Sequence, residues 1–221
     1  ILYPERTGLP VLQPALVAYK GQPSIMAPDG TVQLWDGGDN LYPEDTHTLV
    51  VVGRPGPDDN VFIVGAATNG DPNTTRAIMT GANVNDGTQS YLVNGAGSAG
   101  PGLTNIGVTP MRYADGPMVL EMSHQVQDLS AAGDQLHIRR RSIATGAIEE
   151  RSADAVAGNI GNTHREMHVF GVNAFGSAIG GGSNGADIFG IYLFNQATHV
   201  RTDLRAKLDD YLTDLFAIPD A

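Results

Sequence analysis

An all-β fold, two antiparallel sheets packed face to face and closed by one C-terminal α-helix, is predicted by three features of this sequence. Short apolar runs recur at regular intervals, the links between them are turn-forming, and helical periodicity is confined to the last stretch. The 221 residues include 28 Gly and 13 Pro, which sit in short clusters between the apolar runs. A hydrophobic fraction of 41% with 17% charged residues suits one folded domain over 1–221, a length ordinary for a sandwich.

Strands are expected at 32–35 (VQLW), 47–53 (HTLVVVG), 60–67 (NVFIVGAA), 76–81 (RAIMTG), 89–94 (QSYLVN), 117–126 (PMVLEMSHQV), 135–143 (QLHIRRRSI), 146–151 (GAIEER), 164–172 (HREMHVFGV) and 187–195 (DIFGIYLFN). The runs 47–53, 60–67 and 187–195 are apolar at both alternating positions, which predicts central strands covered on each side. In 117–126, Met118, Leu120, Met122 and Val126 share one face while Glu121, Ser123 and Gln125 share the other, which predicts a strand covering the core on one side only. A two-residue turn at Thr145-Gly146 would set Ile143 opposite Ile148, Arg141 opposite Glu150 and His137 opposite Asp154. The run Arg139-Arg140-Arg141 is then neutralised across a hairpin, with Arg140 on the face opposite its neighbours and Glu149 and Glu150 on opposite faces.

The helix is expected at 202–216, where Leu204, Leu208, Tyr211, Leu212 and Leu215 form one stripe at helical spacing. Thr202 reads as its N-cap, and Asp203 lies in the first turn, where the helix dipole favours a negative charge. Ile218 and Pro219 end it.

Charge and composition exclude several functions. With 24 acidic against 13 basic residues the formal net charge is -11, which repels phosphate backbones and anionic membranes, so no nucleic acid partner is expected. Cysteine is absent, which rules out disulfides, zinc fingers and thiol nucleophiles. No apolar run approaches the roughly 18 residues of a membrane span, so no membrane insertion is expected. Ile1, followed by Pro4, Gly8 and Pro10, does not open a signal peptide, and the chain reads as a processed or excised piece.

The C-terminal stretch carries a resemblance. Gly185-Ala186-Asp187-Ile188 leads into a long apolar strand, Phe194-Asn195 closes it, and the terminal helix holds the pair Tyr211-Leu212. This arrangement resembles the end of concanavalin A-like, laminin G-type jelly-roll domains, and THTLVVVGRP and VQLWDGGDN are similar to that family's early central strand and Trp-Asp-glycine segment. The chain departs from the pattern at Thr145-Gly146, where an Asn-Gly hairpin is usual, and at Phe189-Gly190, where an acidic residue is usual. The resemblance implies a two-sheet antiparallel jelly-roll sandwich. It implies lectin-like binding modules, adhesion domains, parts of surface or virion proteins and, in related sandwich families, glycosidases and polysaccharide lyases.

Several motifs suggest chemistry, each beside a simpler reading. His164, Glu166 and His168 could ligate a metal, but on a strand rising ~3.3 Å per residue the two histidines stand about 13 Å apart, so a polar strand face is the competing reading. Asp58 and Asp59, with Asn83, Asn85 and Asp86, form oxygen-rich loops that could hold calcium, the one cofactor considered; Asx-turns explain the same residues. Trp35 beside Asp36, Asp39 and Asn40 offers an aromatic plate with polar groups, the combination a sugar ring needs, although a lone Trp at a strand end also serves as a core plug. Glu121 is the one strand carboxylate set in an orderly alternation, and no partner at the spacing of a glycosidase pair accompanies it. GAGSAG at 95–100 follows no βα unit and reads as a loop.

The expected function is therefore a non-catalytic binding or adhesion module for a glycan or protein surface, part of a larger extracellular, cell-surface or phage-particle protein. Two alternatives are a structural virion decoration or fibre domain, with other subunits of an assembly as partners, and a polysaccharide hydrolase or lyase. Paired carboxylates in a concave groove would mark the last.

Overall fold

The computed structural model describes residues 3–4, 11–12, 19–26, 35–36, 46–57, 62–68, 71–80, 90–96, 102–109, 112–125, 135–154, 166–169, 172–174, 177–179 and 185–220. Its strands are β1 (Tyr3–Pro4), β2 (Val11–Leu12), β3 (Ile25–Met26), β4 (Trp35–Asp36), β5 (His47–Arg54), β6 (Phe62–Thr68), β7 (Asp71–Thr80), β8 (Ser90–Ala96), β9 (Gly102–Val108), β10 (Met118–Gln125), β11 (Gln135–Ser142), β12 (Ile148–Asp154), β13 (Glu166–Val169), β14 (Val172–Ala174), β15 (Ser177–Ile179) and β16 (Asp187–Phe194). The helix α1 spans Thr202–Phe216, as its apolar spacing predicts.

Every described pairing is antiparallel. One sheet has the order β1-β4-β13-β6-β7-β8-β9, the second β12-β11-β10-β5-β16-β3-β2, and β14 pairs with β15 alone. The three doubly apolar runs became β5, β6 and β16, each with a neighbour on both sides. The strand β9, an edge of the first sheet, lies against β11 and β12 at the edge of the second.

The core of the second sheet has two sides because α1 covers one of them. Val50, Val52, Val119 and Ile143 pack against Leu208, Leu212, Phe216 and Ile218 of the helix and its exit. On the opposite face Leu49, Val51, Leu120, Met122 and Ile138 are also fully buried. At roughly 1.5–3 kcal/mol for each large apolar side chain, both faces contribute to stability.

A bulge between Ile188 and Gly190 resets the alternation of β16. Phe189, Tyr192 and Phe194 therefore all pack toward the helix cluster, and Phe189 meets the ring of Phe216 edge to face at 6.4 Å. A Cβ at Gly190 would sit 2.9 Å from the Tyr192 ring, which would have to shift to admit it.

Three expectations are corrected. The polar face of 117–126 is buried: Glu121 is 1% exposed and Ser123 0%, because α1 and the turn before it lie over them. The hairpin register is shifted by two, with Arg141 opposite Ile148, Arg139 opposite Glu150 and His137 opposite Ser152. The loop is longer than two residues because the Ser142 hydroxyl accepts from the Thr145 N–H at 3.2 Å and Gly146, at φ 75°, donates to the Ser142 carbonyl at 2.9 Å. Finally, Arg201 occupies the N-cap without a side-chain bond, and Tyr211 is 51% exposed while Phe216 takes its place in the buried stripe.

Candidate functional site

An open cleft of about 380 Å³ lies beside the β11–β12 hairpin of the second sheet, lined by Asp115, Met118, Arg140, Ser142, Thr145, Ala147, Ile148 and Glu149. Its charged residues come from three places. Asp115 ends the short 3-10 turn Tyr113–Asp115 that precedes β10, Arg140 stands on β11, and Glu149 stands opposite it on β12. Strand alternation puts Arg140 and Glu149 on the face away from α1.

One guanidinium separates two carboxylates. Arg140 Nη2 lies 3.6 Å from Asp115 Oδ2, and Nη1 lies 4.0 Å from Glu149 Oε2. At those distances the contacts are ionic and longer than hydrogen bonds, while Nε points at the Met118 sulfur at 3.4 Å. Among the described residues the two terminal nitrogens of Arg140 make these long ionic contacts.

The contacts of Glu149 favour its anion. Burial alone would favour its neutral form, yet the Thr109 N–H, donated at 2.9 Å, and Arg151 at 3.4 Å hold its carboxyl below the usual range. Thr109 follows β9, so this bond also ties the edge of the first sheet to β12.

Asp115 is positioned through a chain of contacts. Asp187, 1% exposed, accepts from Arg54 Nε at 3.1 Å, pairs with its Nη2 and accepts from the Ser24 hydroxyl at 3.3 Å. The Arg54 guanidinium lies 4.6 Å from the centre of the Tyr113 ring, and Tyr113 begins the turn that Asp115 ends. The acidic lead-in of β16 thus supports the cleft from behind.

A second polar assembly lies buried beneath α1. Arg139 donates to both oxygens of Asp209 at 2.6 and 2.9 Å and to Glu121 at 3.4 Å, and Thr198 donates its hydroxyl to Glu121. Arg205 donates to Glu150 at 2.6 Å, and Glu150 lies 2.9 Å from His137 Nε2. The His137 ring stacks on His199 at 5.4 Å, and His199 Nδ1 lies 2.7 Å from the Ser123 hydroxyl. Ser123 and His199 have the contact of a nucleophile and its base, but Ser123 has no exposed surface for a substrate to reach. The assembly fastens the helix to the sheet.

Of the residues expected from sequence to form a site, Trp35, Asp36, Glu166 and His168 lie on strands of the first sheet. Trp35 and Asp36 form β4, paired with β1 and with β13 at Val169 and His168. Asp39, Asn40, Asp58, Asp59, Asn83, Asn85 and Asp86 lie outside the described residues, as does His164. Glu166 and His168 run on the strand β13. Among the described residues no group of three or more His, Asp or Glu side chains is arranged to hold a metal, and no helix is long and apolar enough to cross a membrane.

Sequence spacing does not join Asp115, Arg140 and Glu149. The opposed faces of Glu149 and Glu150 and of Arg140 and its neighbours were the available signal, and both alternations hold in the structure.

No family model matches the chain, and no curated protein matches it. Among solved structures, it is similar to full-length tailspike protein 2 from Escherichia coli O157:H7 bacteriophage CAB120, with TM-score 0.55 and 16% identity over 87% of this chain and 25% of that one. The enzymatically active domain of bacteriophage CBA120 tailspike protein 2 gives TM-score 0.55 and 15% identity over 87% and 28%. The marine alginate lyase of Aplysia kurodai gives TM-score 0.49 and 9% identity over 78% and 82%.

These findings correct the expectation of a non-catalytic module. A solved chain of this fold is described as enzymatically active, and the cleft pairs two carboxylates where sequence spacing had offered Glu121 alone. The chain spans about a quarter of the tailspike's length and shares with it a β-sandwich fold.

Proposed function

We propose that this domain is a polysaccharide-cleaving enzyme, a hydrolase acting at the Asp115–Arg140–Glu149 cleft, within a larger extracellular or virion-associated protein of concanavalin A-like architecture. The observation that carries the reading is the placement of two carboxylates on either side of one guanidinium in an open cleft. Glycoside hydrolysis needs one carboxyl group to protonate the leaving oxygen and a second, ionised, to activate water or attack the sugar. Glu149, held anionic by Thr109 and Arg151, suits the second role, and Asp115 faces it across Arg140 for the first. The guanidinium N–H groups and the Ser142 and Thr145 hydroxyls supply hydrogen bonds to sugar hydroxyls. The tailspike likeness supports placement on a phage particle.

The test is release of reducing ends from polysaccharides by the wild type, Glu149→Gln and Asp115→Asn. Each substitution is expected to reduce the rate by roughly 100-fold or more with the circular dichroism unchanged. Rates equal to wild type in both folded variants would remove the cleft from the reaction.

A further inference from the structure

We infer that the substrate of this cleft is an uncharged polysaccharide and that polyuronates are excluded, an inference that rests on the cleft being the cleaving site. Its basis is the charge arrangement around Arg140. Among the described lining residues Arg140 is the one cation, and it already faces Asp115 at 3.6 Å and Glu149 at 4.0 Å. Arg151 lies outside the lining, is 63% exposed and faces the other oxygen of Glu149.

With Asp115 as the proton donor, a uronate carboxylate seated on Arg140 would meet one positive group and the Glu149 carboxylate at comparable range. The repulsion offsets the attraction, and the Thr109 and Arg151 contacts favour the Glu149 anion. Elimination from a uronate also needs its carboxylate neutralised while the adjacent proton leaves, and Arg140 already faces two carboxyl groups.

An uncharged sugar meets no such conflict. Its hydroxyl oxygens accept from the guanidinium N–H groups, which among the described residues make long ionic contacts, and its hydroxyl hydrogens donate to Asp115 and Glu149. Ile148, 45% exposed and part of the lining, offers an apolar surface to the C–H face of a ring. The cleft alternates donors, acceptors and an apolar patch, which is the surface of a neutral glycan in negative relief.

The experiment compares dextran and galactan with alginate and polygalacturonate, using wild type and Glu149→Gln, and reads both reducing ends and the absorbance of unsaturated uronate products. The expected result is cleavage of an uncharged chain faster than either uronate by on the order of 100-fold, the scale of a like-charge juxtaposition. That activity should be lost in Glu149→Gln, with no unsaturated product. Preferential cleavage of a uronate that is lost in Glu149→Gln would overturn the charge inference and leave the cleft as the site. Cleavage of either class that survives in folded Glu149→Gln would overturn the site itself, and no cleavage of any member would overturn the enzymatic reading and the inference with it.

Discussion

Glu121 and Arg139 show how differently two carboxylate–arginine pairs of this chain are weighted. Glu121 is 1% exposed and is held by Arg139, Arg205 and Thr198, while Arg139 also grips Asp209 through two bonds. Arg139→Ala would leave both Glu121 and Asp209 short of their main cation in a closed space. We predict a loss of about 3–5 kcal/mol in denaturant unfolding, the range for breaking a buried pair from one side. The pair Arg201–Asp203 provides the contrast. Arg201 pulls the Asp203 carboxyl down to about 2, yet both side chains stand in solvent, and Arg201→Ala should leave the unfolding midpoint where it was. Residue-level reading from sequence succeeded where alternation alone decides the outcome, as for Arg140 against Arg139. It failed for Glu121 and Ser123, because their polarity reads as solvent exposure until the polar side of α1 is placed over them.

At the scale of elements, α1 meets the sheet with two kinds of surface. Leu208, Leu212 and Phe216 face the apolar strands, whereas Arg205 and Asp209, one turn apart, face the charged strands β10 to β12. The histidines in this seam make it sensitive to acid. Burial, then His137 and Arg205, lower the His199 pKa to about 4, and burial with Arg205 lowers that of His137 against the pull of Glu121 and Glu150. Because the folded values lie below the unfolded value near 6.5, the unfolded chain binds more protons as pH falls. Stability from this seam is complete above about pH 6.5 and declines from there toward pH 4. Glu149 and Glu150, held below their usual range, add a further loss below the ordinary carboxylate pKa. Thermal melts across this window should show a falling Tm in the wild type and a shallower fall in His199→Gln; parallel curves would contradict the role given to His199. The helix itself was legible because five apolar residues repeat at its period. The hairpin register was not, since a Thr-Gly pair signals a turn without stating the loop length that the Ser142 hydroxyl stabilises.

The whole molecule was legible as a two-sheet sandwich because doubly apolar runs mark central strands and turn residues mark their ends. The cleft was not, since Asp115 comes from a 3-10 turn and Arg140 and Glu149 from neighbouring strands, while Thr109, which holds Glu149, follows an edge strand of the other sheet. Nothing in local spacing joins position 109 to 149; only the approach of β9 to β12 does. The proposed function thus depends on how this edge of the second sheet is held, with Asp187 and Arg54 bracing one wall from the far side. Asp187→Ala should therefore lower cleavage as well as stability, although it touches no substrate. The most direct test is a crystal structure of Glu149→Gln soaked with an uncharged oligosaccharide that the wild type cuts. The account predicts sugar density in the cleft, with hydroxyls on Arg140 and Asp115 and a ring over Ile148; an ordered oligosaccharide elsewhere on the sandwich, with the cleft empty, would contradict it.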